Sequence, residues 1–303
     1  PTCCSSIFNG AYRICSYLSD GRSSHRIIGA DVAMLRLSRT SRIILMALVT
    51  FILIFMYVPL LVLILNSFNQ SNISSWPIAT FSVQWWEFAA TYQPIRTALL
   101  NSIIVAAGST IIAAFLGTLV AFALKGFDFF GRGTVNLLVV LPIALPGVVT
   151  GVAFSNTYNS FLSPAGFNIG YFGMIVAHAT FCIVMVFNNV FARLKRMNPS
   201  LQEASADLGA GLWQTFRLVT FPQFRTAFVA GALLAFALSF DEVVVTIFTA
   251  PPGVDTLPLW ILKEMSRPNQ ASVVNVVATL VILISLIPVY ISQRLTRAQE
   301  EGR

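Results

Sequence analysis

The chain has 303 residues, of which 56% are hydrophobic and 10% are charged, and its mean hydropathy is +0.77. A soluble core of this size cannot enclose so many apolar side chains, which excludes an ordinary soluble domain. The formal charge of +7 does not indicate a nucleic-acid surface, because the cationic residues lie between apolar runs and at the chain ends. The composition therefore predicts a polytopic membrane protein.

The first 33 residues contain no sustained apolar core and no cleavage site, so we do not interpret them as a signal peptide. We expect an N-terminal extension over 1–33, with Met34 as the natural start, and one membrane domain over 34–303. Three of the four cysteines fall in the extension, and the four show neither metal-ligand nor disulfide-framework spacing.

Six apolar runs follow, and each is long enough to cross a bilayer, whose hydrocarbon core takes about 20 residues of helix. The runs cover residues 43–65, 99–124, 135–154, 174–192, 227–250 and 273–292. Five of them carry no charged residue, whereas the fifth contains Asp241 and Glu242. The pattern predicts an all-α fold with six transmembrane helices.

The distribution of Lys and Arg predicts how the chain is oriented. Of the sixteen such residues after position 33, thirteen fall on the side of the chain ends, and only Arg96, Lys263 and Arg267 fall on the other side. Because cytoplasmic loops carry an excess of these residues, both termini and the segment 199–222 are predicted to be cytoplasmic.

Three features inside the runs bear on packing. Pro142 and Pro146 each remove a helical hydrogen bond and predict a bend in the third run, which serves either a pathway or a packing contact. His178 in the fourth run is interpreted as a hydrogen-bonded structural residue rather than a proton relay. The small residues at Gly108 and Gly117 predict close approach of a neighbouring helix to the second run.

A polar, amphipathic insert, PSLQEASADLGAGLWQTFRLVTFP, separates the fourth and fifth runs at 199–222. Helix formers predict a short helix from Ser200 to Leu208, with Ser200 as N-cap and Glu203 completing a capping box. Gly209 and Gly211 are expected to end this helix, because glycine adopts a left-handed φ without steric cost. A second helical pattern then places four apolar residues on one side, Leu212, Trp213, Phe216 and Val219. On this pattern alone, the insert also suits a helix lying on the membrane surface.

The insert resembles the cytoplasmic EAA loop, EAA-x3-G-x9-I-x-LP, of the membrane subunits of binding-protein-dependent ABC importers. The positions that carry the resemblance are Glu203, Ala204, Ser205, Gly209, Val219, Phe221 and Pro222. Ser205 stands for Ala in that motif, Val219 for Ile and Phe221 for Leu. The resemblance implies two short helices at an angle, the first of which docks in a cleft of a separate ATPase subunit.

The sequence offers no residues for catalysis, since it has no P-loop motif, no metal-ligating cluster and only two histidines. Asp241 and Glu242 adjoin, so on a helix their side chains point about 100° apart and form no acid/base pair. We expect no cofactor on this chain, with ATP and Mg²⁺ bound by the partner ATPase. The alternative from another class is an ion-coupled secondary transporter, in which a buried acid is the coupling site. The insert favours the importer, because an ion-driven carrier needs no docking loop.

A second resemblance covers most of the chain from Met34. The stretch 239–246, SFDEVVVT, with Pro252-Gly253 and 256–259, TLPL, resembles spermidine/putrescine permeases of the PotC type, although Glu242 stands where Asp is commoner. This resemblance implies import of putrescine or spermidine across the bacterial inner membrane. It also implies three kinds of partner, namely an ATPase dimer, a PotB-type second permease and an external solute-binding protein. The alternative within this family is a permease for another small solute.

Asp241 and Glu242 are the candidate residues of the substrate pathway. If the fifth helix enters the membrane near Thr226, Asp241 lies ~22 Å along it, in the external third of the bilayer. An ionised carboxylate at that depth needs water, a cation or a hydrogen-bond donor, so a polycationic solute is a suitable partner. The alternative is that Asp241 pairs with a polar group of the partner permease.

Overall fold

The computed structural model describes residues 39–71, 77–78, 80–166, 170–267 and 270–301. Residues 1–33, which the sequence predicts to be an extension, lie outside this part of the chain, as does the C-terminal Arg303. The chain divides into two units between Leu61 and Val62. The described part of the first unit is a single helix whose side chains are exposed from Thr40 to Leu61.

The described residues form helices and no strand, which confirms the predicted all-α fold. The helices are α1 Arg39–Asn66, α2 Gln84–Thr91, α3 Gln93–Gly126, α4 Arg132–Ala144, α5 Gly147–Thr157, α6 Tyr171–Lys195, α7 Ser200–Asp207, α8 Leu212–Thr215, α9 Phe221–Phe240, α10 Val244–Thr249, α11 Leu257–Glu264 and α12 Ala271–Glu301. π-Helical turns extend α5 over Tyr158–Leu162 and join α8 to α9 over Phe216–Thr220.

Five helical stretches in the described residues are long and apolar enough to cross a membrane. They are Thr40–Asn66, Gln93–Gly126, Tyr171–Lys195, Leu212–Phe240 and Ala271–Thr296. They contain the first, second, fourth and sixth predicted runs in full. The third and fifth runs depart from the prediction, each at an identifiable break.

The third run is two helices rather than one, since α4 and the extended α5 meet at an angle of 104°. Pro142 lies inside α4, whereas Pro146 precedes the first residue of α5 and marks the break. Leu145 is extended, with φ −82° and ψ 140°, because the ring of a following proline disfavours the α conformation. Counted as one broken span, the pair brings the total to six.

The prediction that residues 227–250 form one helix is wrong. The helix begins earlier, at Leu212 inside the insert, and ends at Phe240. Asp241 has φ −98° and ψ 2°, and the chain enters the separate short helix α10 only at Val244. Asp241 and Glu242 therefore lie in a break between two helices, so the side-chain angle expected on a continuous helix does not apply to them.

The core lies where α6 packs between α3 and α9. A Cβ atom at Gly117 of α3 would lie 2.9 Å from the carbonyl oxygen of Ile183, and one at Gly231 of α9 would lie 3.1 Å from the Cα of Val186. These two glycines let both helices approach the backbone of α6 more closely than any side chain would permit. The predicted close approach at Gly117 is confirmed.

Candidate coupling and translocation sites

The first helix of the insert, α7, runs from Ser200 to Asp207 as predicted, but the predicted capping box is wrong. Ser200 is already inside the helix, and Pro199 occupies the N-cap position without a side-chain cap bond. The side chain of Asn198 serves instead, since its Oδ1 accepts the Ser200 N–H at 3.1 Å. The carboxylate of Glu203 consequently takes no part in capping and is exposed. It lies in the first turn of the helix, where a negative charge is favourable.

The predicted helix end at Gly209 is confirmed, with φ +79°. The N–H of Gly209 bonds to the carbonyl of Ala206 at 2.9 Å, and that of Ala210 bonds to the carbonyl of Ser205 at 3.1 Å. This pair of bonds is a Schellman motif, which requires a left-handed residue at the position of Gly209. Gly211 has a different role, because it is the N-cap of α8, with φ −69°.

Side-chain hydrogen bonds join α7 to the second part of the insert, which consists of α8 and the π-helical turn. The hydroxyls of Ser205 and Thr215 lie 2.9 Å apart, and Gln202 Nε2 donates to Thr220 Oγ1 at 3.3 Å. Ser205 is buried, unlike the exposed Ala204 beside it. The serine that departs from the EAA motif thus makes a contact that alanine lacks.

The insert exposes large apolar side chains instead of collecting them on one buried side. Leu212 is 94% exposed and Trp213 70%, whereas Phe216 and Val219 are half-buried in the π-helical turn. The predicted single face of four residues is therefore wrong, because the π-helical turn changes the angular spacing after Thr215. We call the exposed set the coupling face, which consists of Leu208, Leu212, Trp213 and Leu218. Exposed apolar groups of this size face either lipid or a docking partner.

The insert is joined directly to the fifth span. Pro222 lies in the first turn of α9, right after the π-helical turn, whose wider winding accommodates a ring that clashes with the i−4 carbonyl of a regular helix. Phe216 contacts Trp213 on one side, and Phe122 of α3 and Phe224 of α9 on the other. A displacement of the coupling face would therefore reach α9 through continuous helix and α3 through aromatic contacts.

The candidate pathway residues differ in their surroundings. Glu242 Oε1 accepts the Val245 N–H at 2.9 Å, and the Glu242 carbonyl accepts the Thr246 hydroxyl at 2.8 Å, so Glu242 caps the start of α10. The Asp241 side chain is exposed and forms no ion pair with any described residue. Of the two carboxylates, Asp241 is thus the more available to a ligand.

A buried polar network lies next to this break. His178 Nδ1 is 2.9 Å from the Ser239 hydroxyl, and His178 Nε2 is 3.0 Å from the Thr246 hydroxyl. Ser239 in turn lies 2.9 Å from the hydroxyl of Ser109 on α3. The interpretation of His178 as a hydrogen-bonded residue is confirmed. Its partners were not predicted, since three hydroxyls spread over two apolar runs give no periodic signal.

The chain that follows α10 is also hydrogen-bonded to α3. Asn101 Nδ2 donates to the carbonyl of Asp255 at 2.8 Å, and its Oδ1 accepts the Tyr171 hydroxyl at 2.8 Å. The hydroxyl of Ser102 accepts the Leu257 N–H at 2.8 Å. Helix α3 therefore holds the chain on both sides of α10, at Ser239 before it and at Asp255 and Leu257 after it.

Comparison with known proteins decides what kind of molecule this is. Residues 113–300 match the family described as binding-protein-dependent transport system inner membrane component. The chain belongs to this family. It is 30% identical over 254 residues to the spermidine/putrescine transport system permease protein PotC of Escherichia coli K12, covering 84% of this chain and 94% of PotC.

A further relative and a solved structure can be compared with the chain. The putrescine transport system permease protein PotI of Escherichia coli K12 is 32% identical over 232 residues, covering 75% of this chain and 82% of PotI. A chain from the crystal structure of a bacterial ABC transporter that imports the acidic polysaccharide alginate has the same fold, with a TM-score of 0.67 at 16% identity. The match covers 85% of this chain and 94% of that chain.

Membership of this family makes the chain a multi-pass inner-membrane permease subunit of an ABC importer. It is a transporter subunit rather than an enzyme, and ATP hydrolysis belongs to a separate ATPase chain. The importer also includes a second permease and a solute-binding protein. The ion-coupled secondary transporter, the alternative left open by the sequence, is thereby excluded.

Proposed function

We propose that this permease imports a polyamine such as putrescine or spermidine and that Asp241 contacts the cation on its way through the membrane. The observation that supports this most is the exposed, unpaired Asp241 carboxylate at the helix break. Helix α9 is uninterrupted from Thr226 to Phe240, which supports the expected rise of ~22 Å from Thr226 to Asp241. A carboxylate at that depth is costly unless a cation or water reaches it.

The names of the relatives support the same substrate class, since PotC and PotI are described as polyamine permeases. Glu242 is the second candidate on the path. Its carboxylate also caps α10, so one oxygen is committed to the Val245 N–H while the other is free to face a cation. Two carboxylates in succession suit a solute with two or more ammonium groups.

We further propose that the insert docks an ATPase on the cytoplasmic side through α7 and the coupling face. The residues assigned to this role are Glu203, Ala204, Ser205, Gly209, Val219, Phe221 and Pro222. Exposed Glu203 and the exposed leucines support docking, and the continuous helix Leu212–Phe240 offers a route from the ATPase to Asp241. ATP and Mg²⁺ would bind the ATPase, and the second permease would be a PotB-type chain that completes the pathway.

The substrate is tested by uptake in cells that lack their own polyamine importers and express the full set of importer subunits. Labelled putrescine and spermidine should accumulate, whereas a labelled neutral sugar and phosphate should not. Accumulation of the sugar or the phosphate without either polyamine would refute the substrate and leave the importer itself standing.

A further inference from the structure

We infer that the four buried side chains Ser109, His178, Ser239 and Thr246 form a clamp that positions the carboxylates of Asp241 and Glu242. We call these four residues the polar clamp, and we assign His178 and Thr246 as positioning residues for transport. The inference rests on the proposed pathway at Asp241, and it adds residues to which neither the EAA motif nor the family resemblance gives a role.

The clamp bridges the break that carries the two carboxylates. Ser239 precedes the break on α9, and Thr246 follows it on α10. The His178 ring on α6 contacts both, at 2.9 Å through Nδ1 and at 3.0 Å through Nε2. A rigid imidazole therefore sets the separation of the two helix ends, and the three residues between them have little freedom to move apart.

The clamp is anchored on both sides. Ser109 of α3 contacts Ser239 at 2.9 Å, and the Thr246 hydroxyl donates to the Glu242 carbonyl at 2.8 Å. All four clamp side chains are at most 3% exposed, so water does not compete for these bonds. The last bond ends on the backbone of Glu242 itself, which links the buried ring to a pathway residue through one hydroxyl.

Counting protons assigns the direction of these bonds. The hydroxyl of Ser109 also contacts the carbonyl of Val105, so the clamp has five hydrogen-bond contacts in series from Val105 to Glu242. Three hydroxyls and a neutral imidazole supply only four donors, so one contact stays empty. A doubly protonated ring would fill all five, but it would bury a charge that no described carboxylate pairs with.

The empty contact lies next to Ser239. A carbonyl oxygen only accepts, so the Ser109 hydroxyl donates to the Val105 carbonyl and the Thr246 hydroxyl donates to the Glu242 carbonyl. His178 Nε2–H then donates to Thr246, and the Ser239 hydroxyl has one proton for its two contacts, with Ser109 and with His178 Nδ1. This order ends on a carbonyl rather than a carboxylate, so the clamp positions the pathway without relaying protons along it.

The test compares two threonines of the same short helix. Thr246→Val removes the hydroxyl that joins His178 to Glu242. Thr249→Val makes the same change at an equally buried residue whose hydroxyl bonds only to Val245 of its own helix. Because His178→Ala would also open a cavity in the core, the threonine pair gives the cleaner comparison.

We expect Thr246→Val to lower the uptake of labelled putrescine by roughly fivefold to tenfold, the range for one lost buried hydrogen bond. ATP hydrolysis stimulated by the loaded binding protein should stay within about twofold of wild type, so that more ATP is consumed per molecule imported. Thr249→Val should leave both rates within about twofold of wild type. A general folding defect would lower uptake and ATP hydrolysis together.

A second readout is independent of the substrate. A nitroxide label on Asp241→Cys, in a background free of other cysteines, reports the mobility of the break in the assembled complex. Addition of Thr246→Val should introduce a mobile spectral component, and addition of Thr249→Val should not.

If wild type imports no polyamine but the mobile component still appears, the proposed substrate fails and the clamp stands. If Thr246→Val matches Thr249→Val in both readouts, or lowers uptake and ATP hydrolysis equally with an unchanged spectrum, the clamp is refuted.

Discussion

The left-handed turn at Gly209 gives the sharpest prediction about coupling. A Cβ added at this position meets no atom within 4 Å, so the cost of Gly209→Ala is confined to the backbone at φ +79°. An L residue in this region costs about 1 to 2 kcal/mol, which lowers the population of the native turn by roughly fivefold to thirtyfold. The Schellman bonds from Gly209 and Ala210 hold the end of α7 in place, so the same strain should loosen this helix, which we propose docks the ATPase.

Gly211→Ala is the matched control, two residues away. Gly211 has φ −69°, and a Cβ there meets only Gln214 Oε1 at 3.9 Å, so alanine is accommodated without strain. The assay is ATP hydrolysis by the purified complex with loaded binding protein, together with the amount of ATPase that co-purifies. We expect both quantities to fall for Gly209→Ala and to stay at wild-type levels for Gly211→Ala, with normal abundance of both variants in the membrane.

Gly209→Pro extends the series, because proline excludes a positive φ and removes the N–H that bonds to Ala206. A complex with Gly209→Pro that still binds the ATPase and keeps full stimulation would refute the docking role of the insert. Equal behaviour of Gly209→Ala and Gly211→Ala would refute the argument from backbone strain.

Three further predictions concern the insert, the core and the topology. Ser205→Ala and Thr215→Val should each weaken coupling through the same lost bond, worth about 1 kcal/mol, so the double variant should be no worse than either in the stimulated ATPase assay. Gly117→Ala should lower the melting temperature of the purified complex, because its Cβ would lie 2.9 Å from a backbone carbonyl, whereas Gly126→Ala, in open space, should not. A tag after Arg303 should resist protease in intact cells, and cleavage from outside would contradict the cytoplasmic C-terminus.

Much of the insert's structure was predictable because its signals are local in sequence. The left-handed φ at Gly209 follows from the residue type within a short helical pattern, and the helix from Ser200 follows from its helix formers. The cap was mispredicted because the helix begins one residue earlier than the pattern suggests, with Pro199 at the N-cap position and Asn198 accepting the Ser200 N–H. Such a choice between neighbouring caps depends on the path of the chain before the helix.

The break at Asp241 was not predictable from hydropathy. A window of about 20 residues averages over the three residues between Phe240 and Val244, so the run reads as one span. The break depends on contacts distant in sequence, such as Ser109 with Ser239 and His178 with Thr246, which separate the ends of α9 and α10. The break at Pro146 was anticipated because proline constrains its own neighbours.

The measurement that most directly tests the central claim is ATP-driven putrescine import into liposomes containing the complete importer, with Asp241→Asn beside wild type. This substitution keeps the shape of the side chain and removes its charge. Asp255→Asn is the control, because that acid is already paired with Lys263. We predict a loss of import of about tenfold or more for Asp241→Asn and no loss for Asp255→Asn. Import at the wild-type rate by Asp241→Asn would contradict a role of this charge in passage of the cation.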